Sequence, residues 1–165
     1  MNDSTAVKTL CILRLSALGD ATHVLPLIRT LQRNLPGCRI TWILGKAEAK
    51  LMEGLENVEL IAFDKKSGLK GVKQLAQQLA GKRFDVLLQM QLALRANLIS
   101  AVIPAKRRIG YNTGRSKEGH GLFINERIAS GKHHVLDVFG LFAEPLGFSQ
   151  TEVRWDIPVS PDEHA

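Results

Sequence analysis

Short apolar runs alternate along this chain with segments of helical spacing, and that alternation leaves few ways to fold. Thr9-Leu-Cys-Ile-Leu-Arg-Leu15 is apolar almost without interruption, as a strand covered on both faces must be. Ser16 to Gly19 breaks the run. Asp20 then reads as a helix N-cap, ahead of Val24, Leu25, Leu27, Ile28 and Leu31 at helical spacing. Pro26 is expected early in that helix, with a bend, and Pro36-Gly37 closes the unit. The pattern repeats as a strand over Arg39–Leu44, a short helix over Ala47–Met52 and a strand over Val58–Phe63. A helix over Leu69–Leu79 follows, its apolar positions Leu69, Val72, Leu75 and Leu79, and then a strand over Phe84–Gln89. A helix over Leu92–Val102 stops before Pro104, and Arg107–Tyr111 is a short fifth strand. Asn112 to Lys132 carries four glycines and no clear period, so it reads as a long functional loop. A last helix, His133 to Leu146, is expected to stop at Gly147.

Strands alternating with helices at this spacing predict an α/β domain: a Rossmann-like parallel sheet with helices on both faces. Ligands of such sheets gather at the carboxyl ends of the strands. Gly19-Asp20, the Gln89–Arg95 segment and the Asn112–Lys132 loop should all lie there.

At 165 residues the chain suits one domain, and 45% hydrophobic with 23% charged residues is ordinary for a globular protein. No apolar run reaches the ~20 residues of a membrane span, and the opening Met1 to Thr5 lacks the basic region of a secretory signal. Cys11 and Cys38, both expected within strands, read as reduced thiols. Collagen, coiled coil, disulfide scaffold and integral membrane protein are excluded.

The net charge is +6, unevenly spread. Asp64 to Arg83 holds six bases and one acid; Arg95 to Lys132 holds eight bases and two acids; the tail from Ser149 is acidic. Such stretches attract phosphorylated sugars, nucleic acid or an anionic membrane surface, or serve only as a solvated face. Scarcity of aromatic residues in the basic stretches argues against nucleic acid. The first strand–turn–helix has one glycine where a dinucleotide fingerprint needs three, and no P-loop Lys-Ser/Thr. What it offers is one carboxylate, Asp20, at a helix start.

Arg14-Leu-Ser-Ala-Leu-Gly-Asp-Ala-Thr-His-Val-Leu-Pro26 resembles the N-terminal signature of glycosyltransferase family 9, the lipopolysaccharide heptosyltransferases. Ile40-Thr-Trp-Ile-Leu44, Phe84-Asp-Val-Leu-Leu-Gln89, Arg107-Arg-Ile-Gly-Tyr111, Leu122-Phe-Ile-Asn125 and His133-His-Val-Leu-Asp137 follow in the family's order, so the likeness covers residues 9 to 148. The resemblance implies the N-terminal half of a GT-B fold, two Rossmann-like domains across a cleft. Residues 1–148 would be the acceptor-binding domain and 149–165 the start of an interdomain linker, with the C-terminal donor-binding domain absent. The fragment alone is then expected to be inactive.

By the same resemblance, Asp20 is the catalytic general base of an inverting transfer of heptose from an ADP-sugar to the lipopolysaccharide inner core. No cofactor and no metal are implied; ADP-heptose is a substrate, bound mainly by the absent domain. Gly19, His23, Arg95, Arg115 and Lys117 are the candidate acceptor-binding residues, with Arg107 and Arg108 as further cations suited to carboxylate or phosphate. His133 and His134 read as capping or surface residues. The partners implied are a lipid A–Kdo or inner-core oligosaccharide acceptor and an anionic membrane surface, with no nucleic acid and no obligate protein partner. The location would be cytoplasmic, peripheral on the inner face of the inner membrane. The alternative is a non-catalytic Rossmann-like module that binds a nucleotide or an anionic partner.

Overall fold

The computed structural model describes residues 7–15, 18–91, 94–111, 122–128 and 141–147. They form β1 (Thr9–Leu13), α1 (Leu18–Asn34), β2 (Arg39–Gly45), α2 (Lys46–Leu51), β3 (Val58–Phe63), α3 (Gly68–Gln78), β4 (Phe84–Gln89), α4 (Leu94–Ala101), β5 (Ala105–Gly110) and β6 (Glu126–Arg127). A 3-10 helix over Leu141–Leu146 follows. The six strands make one sheet in the order β3-β2-β1-β4-β5-β6, and every pairing is parallel.

Alternate side chains of each central strand go to opposite faces. Leu10 and Ile12 of β1, Trp42 of β2 and Leu88 of β4 join the α1 residues Val24, Leu25, Ile28 and Leu31 in one core. Cys11, Leu13, Ile43 and Leu87 face the other way, onto Leu75 of α3 and Ala96 and Ile99 of α4. Both faces are therefore dry, and this is why the strands read as unbroken apolar runs rather than as alternation.

The sequence places the elements well and several boundaries less well. Asp20 is the third residue of α1, not its N-cap, because the helix starts at Leu18. Both backbone groups of Leu15 are already bonded, its N–H to Gln91 Oε1 and its carbonyl to Gly45 N–H, which leaves little chain before the helix. Pro26 consequently falls in the interior of α1 rather than near its start. Leu69, expected in the core by its spacing, stands 80% exposed.

The expected loop after β5 contains a strand: β6 pairs with β5 through Ile109↔Glu126 and Gly110↔Arg127. A two-residue Glu-Arg strand has no apolar alternation to betray it. Asn125 extends the pairing, its Oδ1 accepting from Arg108 N–H at 2.8 Å and its Nδ2 donating to the Lys106 carbonyl at 3.0 Å. Where an α-helix was expected up to Leu146, the described part is a 3-10 turn containing Pro145, which has no N–H to give a helical ladder. It closes with Gly147 N–H on the Glu144 carbonyl at 2.9 Å.

Cys11 and Cys38 are both free. Cys11 is buried within β1, whereas Cys38 is half-buried one residue before β2, outside the strand. Burial pushes both thiols up, Cys38 to about 11 with the Asp85 charge adding to it, and Cys11 further still. Both are therefore protonated at neutral pH. Iodoacetamide at pH 7.5 should label neither appreciably within minutes, and both after denaturation; rapid labelling of the native protein would contradict this burial.

Candidate acceptor site at the carboxyl edge of the sheet

All strands being parallel, the β1–α1, β2–α2, β3–α3 and β4–α4 connections leave from one edge. The order of strands reverses between β1 and β4, which opens a crevice there. Around it the chain is stitched together by hydrogen bonds. Met90 N–H donates to the Leu13 carbonyl at 3.0 Å, and Arg14 N–H to the Ile43 carbonyl at 3.1 Å. The Met90 carbonyl accepts from the Arg14 guanidinium and from Tyr111 OH, the latter at 2.8 Å. The Trp42 indole N–H reaches the Arg14 carbonyl at 3.2 Å.

A buried amide relay continues from these strand ends into α4. Gln91 Oε1 accepts from Leu15 N–H at 2.9 Å, and Gln89 Oε1 from Gln91 N–H at 3.1 Å. Gln89 Nε2 in turn donates to Asn97 Oδ1 at 3.1 Å. Gln89 and Asn97 are fully buried, where an unpaired amide would cost about 1–3 kcal/mol. The relay therefore fixes the residue from which the β1–α1 turn departs. Sequence reading placed Gln89 at this edge and missed the relay, although two glutamines capping the apolar Val86–Leu88 run are a signal of it.

Gly45 serves the same turn from the β2 side. A Cβ there would come within 2.3 Å of Glu48 Oε1 and 2.7 Å of the Leu15 carbonyl, so only glycine allows this approach. Glu48 is itself buried and meets Lys65 Nζ at 3.5 Å.

Of the residues proposed from sequence, Gly19 and Asp20 occupy the opening turn of α1, at the crevice edge. Gly19 is exposed, and a Cβ on it would meet nothing within 4 Å. The side chain of Asp20 lies outside the described set. His23 is half-buried one turn further along α1. Arg95, exposed at the start of α4, shares the edge but stands on the opposite face of the sheet from α1, beside Phe63 and Leu69. Arg115, Lys117, His133 and His134 lie outside the described residues.

Arg107 and Arg108 are committed to structure. Arg107 forks onto Glu126, with Nε to Oε2 at 2.7 Å and NH2 to Oε1 at 2.8 Å, and also reaches the Pro145 carbonyl. Arg108 ties the Phe123, Ile103 and Ser100 carbonyls together. These two cations bind β6 and the 3-10 turn to the sheet. The Arg107 guanidinium holds the Glu126 carboxyl below its usual range, and Glu126 raises Arg107 in return.

A cavity of about 960 Å³ opens at the amino edge between Arg39, Asn57, Glu59 and Lys82. It lies away from the β–α turns, and its Lys82 is paired with Glu59 at 2.8 Å. Among the described residues no three His, Cys, Asp or Glu side chains converge as metal ligands, and no helix is long and apolar enough to cross a membrane.

The profile of glycosyltransferase family 9 (heptosyltransferase) matches residues 72–165. The chain is 46% identical over 160 residues to the lipopolysaccharide core heptosyltransferase OpsX of Haemophilus influenzae, covering 96% of this chain and 46% of that protein. A family 9 glycosyltransferase from Veillonella parvula superposes with a TM-score of 0.81 at 21% identity, over 94% of this chain and 46% of that one. Heptosyltransferase WaaC of E. coli, solved with ADP-2-deoxy-2-fluoro heptose, gives 0.76 at 22% identity, over 90% of this chain and 51% of that one. The two solved structures establish the fold, a Rossmann-like domain of GT-B type. The chain spans about half the length of the relatives it matches.

Replacing Gly45 with alanine should cost about 1–3 kcal/mol by driving the Leu15 carbonyl and Glu48 apart, read as a lower urea midpoint; an unchanged midpoint would mean the turn yields freely. The Glu126 carboxylate contributes its stability above the ordinary glutamate range, and that contribution is lost as pH falls through the depressed folded value. Glu126→Gln should therefore flatten part of the acid limb of the stability–pH curve below about pH 4.5. A variant that keeps the full acid slope would show that the fork is solvent-screened to insignificance.

Proposed function

The chain belongs to glycosyltransferase family 9, and from that membership we propose that it is the acceptor-binding domain of an inverting heptosyltransferase acting on the lipopolysaccharide inner core. Residues 1–148 form this domain and 149–165 begin the connection to a donor-binding domain that holds the ADP-sugar. The observation that carries the reading is the pinned carboxyl end of β1 at the strand-order reversal, with Gly19 and Asp20 in the first turn of α1. The bare, exposed backbone at Gly19 suits close approach of a sugar.

In the proposed reaction Asp20 accepts the proton of an acceptor hydroxyl as that oxygen attacks the anomeric carbon of ADP-heptose. The bond from the anomeric carbon to the diphosphate oxygen breaks, ADP leaves from the opposite face, and the configuration inverts. His23, one turn along the same helix, is suited to orient the acceptor or Asp20. Arg115 and Lys117 are proposed to hold acidic groups of the acceptor, with Arg95 further out along the edge. An acceptor built on lipid A and Kdo would be met at the inner face of the inner membrane, where a basic surface is favoured.

In the full-length enzyme Asp20→Ala should lower kcat by about 10²–10⁴-fold while ADP-sugar binding, followed by calorimetry, stays within twofold. Wild-type turnover in this variant would remove Asp20 from the mechanism.

A further inference from the structure

Among the described residues Leu69, Leu98 and Leu122 are the large apolar side chains left exposed, and the first two lie together. The spacing of Leu69 with Val72 and Leu75 marks it for the core, yet it stands 80% exposed at the start of α3, with Leu98 of α4 beside it at 43%. Between them runs a shallow apolar groove of about 260 Å³ lined by Phe63, Val72 and the two leucines, with Arg95 at its rim. The first turns of α3 and α4 follow the carboxyl ends of β3 and β4, so the groove opens on the same edge as the proposed acceptor site.

Lysines flank the exposed leucine in sequence. Lys66, Lys70 and Lys73 are exposed and make no ion pair among the described residues, and Lys73 lies one turn from Leu69 along α3. Lys65 is tied to Glu48, and Asp64, the one acid between 64 and 83, to Lys46 at 3.4 Å. Neither helix carries an acid in its first turn. Two exposed leucines are a small apolar anchor beside the roughly 20–30 residues a side that a stable protein interface typically engages. An apolar anchor beside a polybasic cluster is instead the pair of weak signals that together hold a protein reversibly on an anionic bilayer.

We propose that the α3–α4 flank is a bilayer-docking face, Leu69 and Leu98 entering the headgroup–acyl boundary while Lys66, Lys70 and Lys73 engage anionic phospholipid headgroups. The proposal rests on the transferase reading and extends it, since docking at this edge turns the crevice toward a lipid-borne acceptor. Charge complementarity alone brings the protein to the surface, and the leucines then hold it.

The test is co-sedimentation of the full-length protein with vesicles that contain no acceptor. The expected result is binding to 30% phosphatidylglycerol in phosphatidylethanolamine, little binding to phosphatidylcholine, and release by about 0.5 M salt. Leu69→Asp should lower partitioning by about tenfold, and neutralising Lys66, Lys70 and Lys73 to glutamine by about fivefold for each residue. Both variants should keep wild-type Tm and wild-type turnover of a delipidated, soluble inner-core acceptor. Equal binding to neutral and anionic vesicles, undiminished partitioning of either variant, or binding only when the acceptor lipid is present would overturn the docking face. So would a loss of self-association in Leu69→Asp with vesicle binding intact, which would make the groove an interface between copies. Failure of the soluble acceptor to be turned over, with vesicle binding as expected, would instead strike the transferase reading and leave the docking face standing.

Discussion

The placement of β1 between β2 and β4 is the constraint on which the carboxyl edge depends. Because β1 is flanked on both sides, the residues just beyond its end find hydrogen-bond partners on both sides as well: Ile43 and Gly45 toward β2, Met90 and Gln91 toward β4. The turn into α1 thus starts from a backbone whose polar groups are all taken. The end of β1 is thereby held on both sides, and the chain leaves for α1 from that point.

Around that junction, buried polar side chains act as structural cross-links. The Gln91–Gln89–Asn97 relay reaches from the β1–α1 turn into α4. Glu48 with Lys65 supports the β2 side, where the missing side chain of Gly45 lets the two strand ends meet. At the far end of the sheet, Arg107 and Arg108 hold β6 and the 3-10 turn. Positive charge in this protein therefore serves two ends: hydrogen-bonded arginines that assemble the edge, and exposed lysines on α3.

That division decides which sequence inferences about charge survive. Arg107 and Arg108 carry the same chemistry as Arg95, and nothing in the linear order separates them. The separation comes from β6, whose Glu126 arrives nineteen positions later in the chain to occupy Arg107. The converse holds for Leu69, where helical period assigns a core position that the fold does not fill. α3 buries Gly71, Leu75 and the Leu79 that follows it, while Leu69 in its first turn stays exposed.

The sequence by itself determined the architecture. Strands alternating with helical segments admit a doubly covered parallel sheet, and β4 falls on the residues expected of it, because burial on both faces leaves a composition signal that needs no knowledge of neighbours. The signature at Arg14–Pro26 likewise pointed to the family and to the first β–α turn. Tertiary structure alone decided the strand order, the start of α1 two residues before Asp20, the short β6, the amide relay and the fates of the individual arginines. These are settled by partners distant in sequence, whose hydrogen bonds form only once the strands are side by side, and a one-dimensional period carries no record of them.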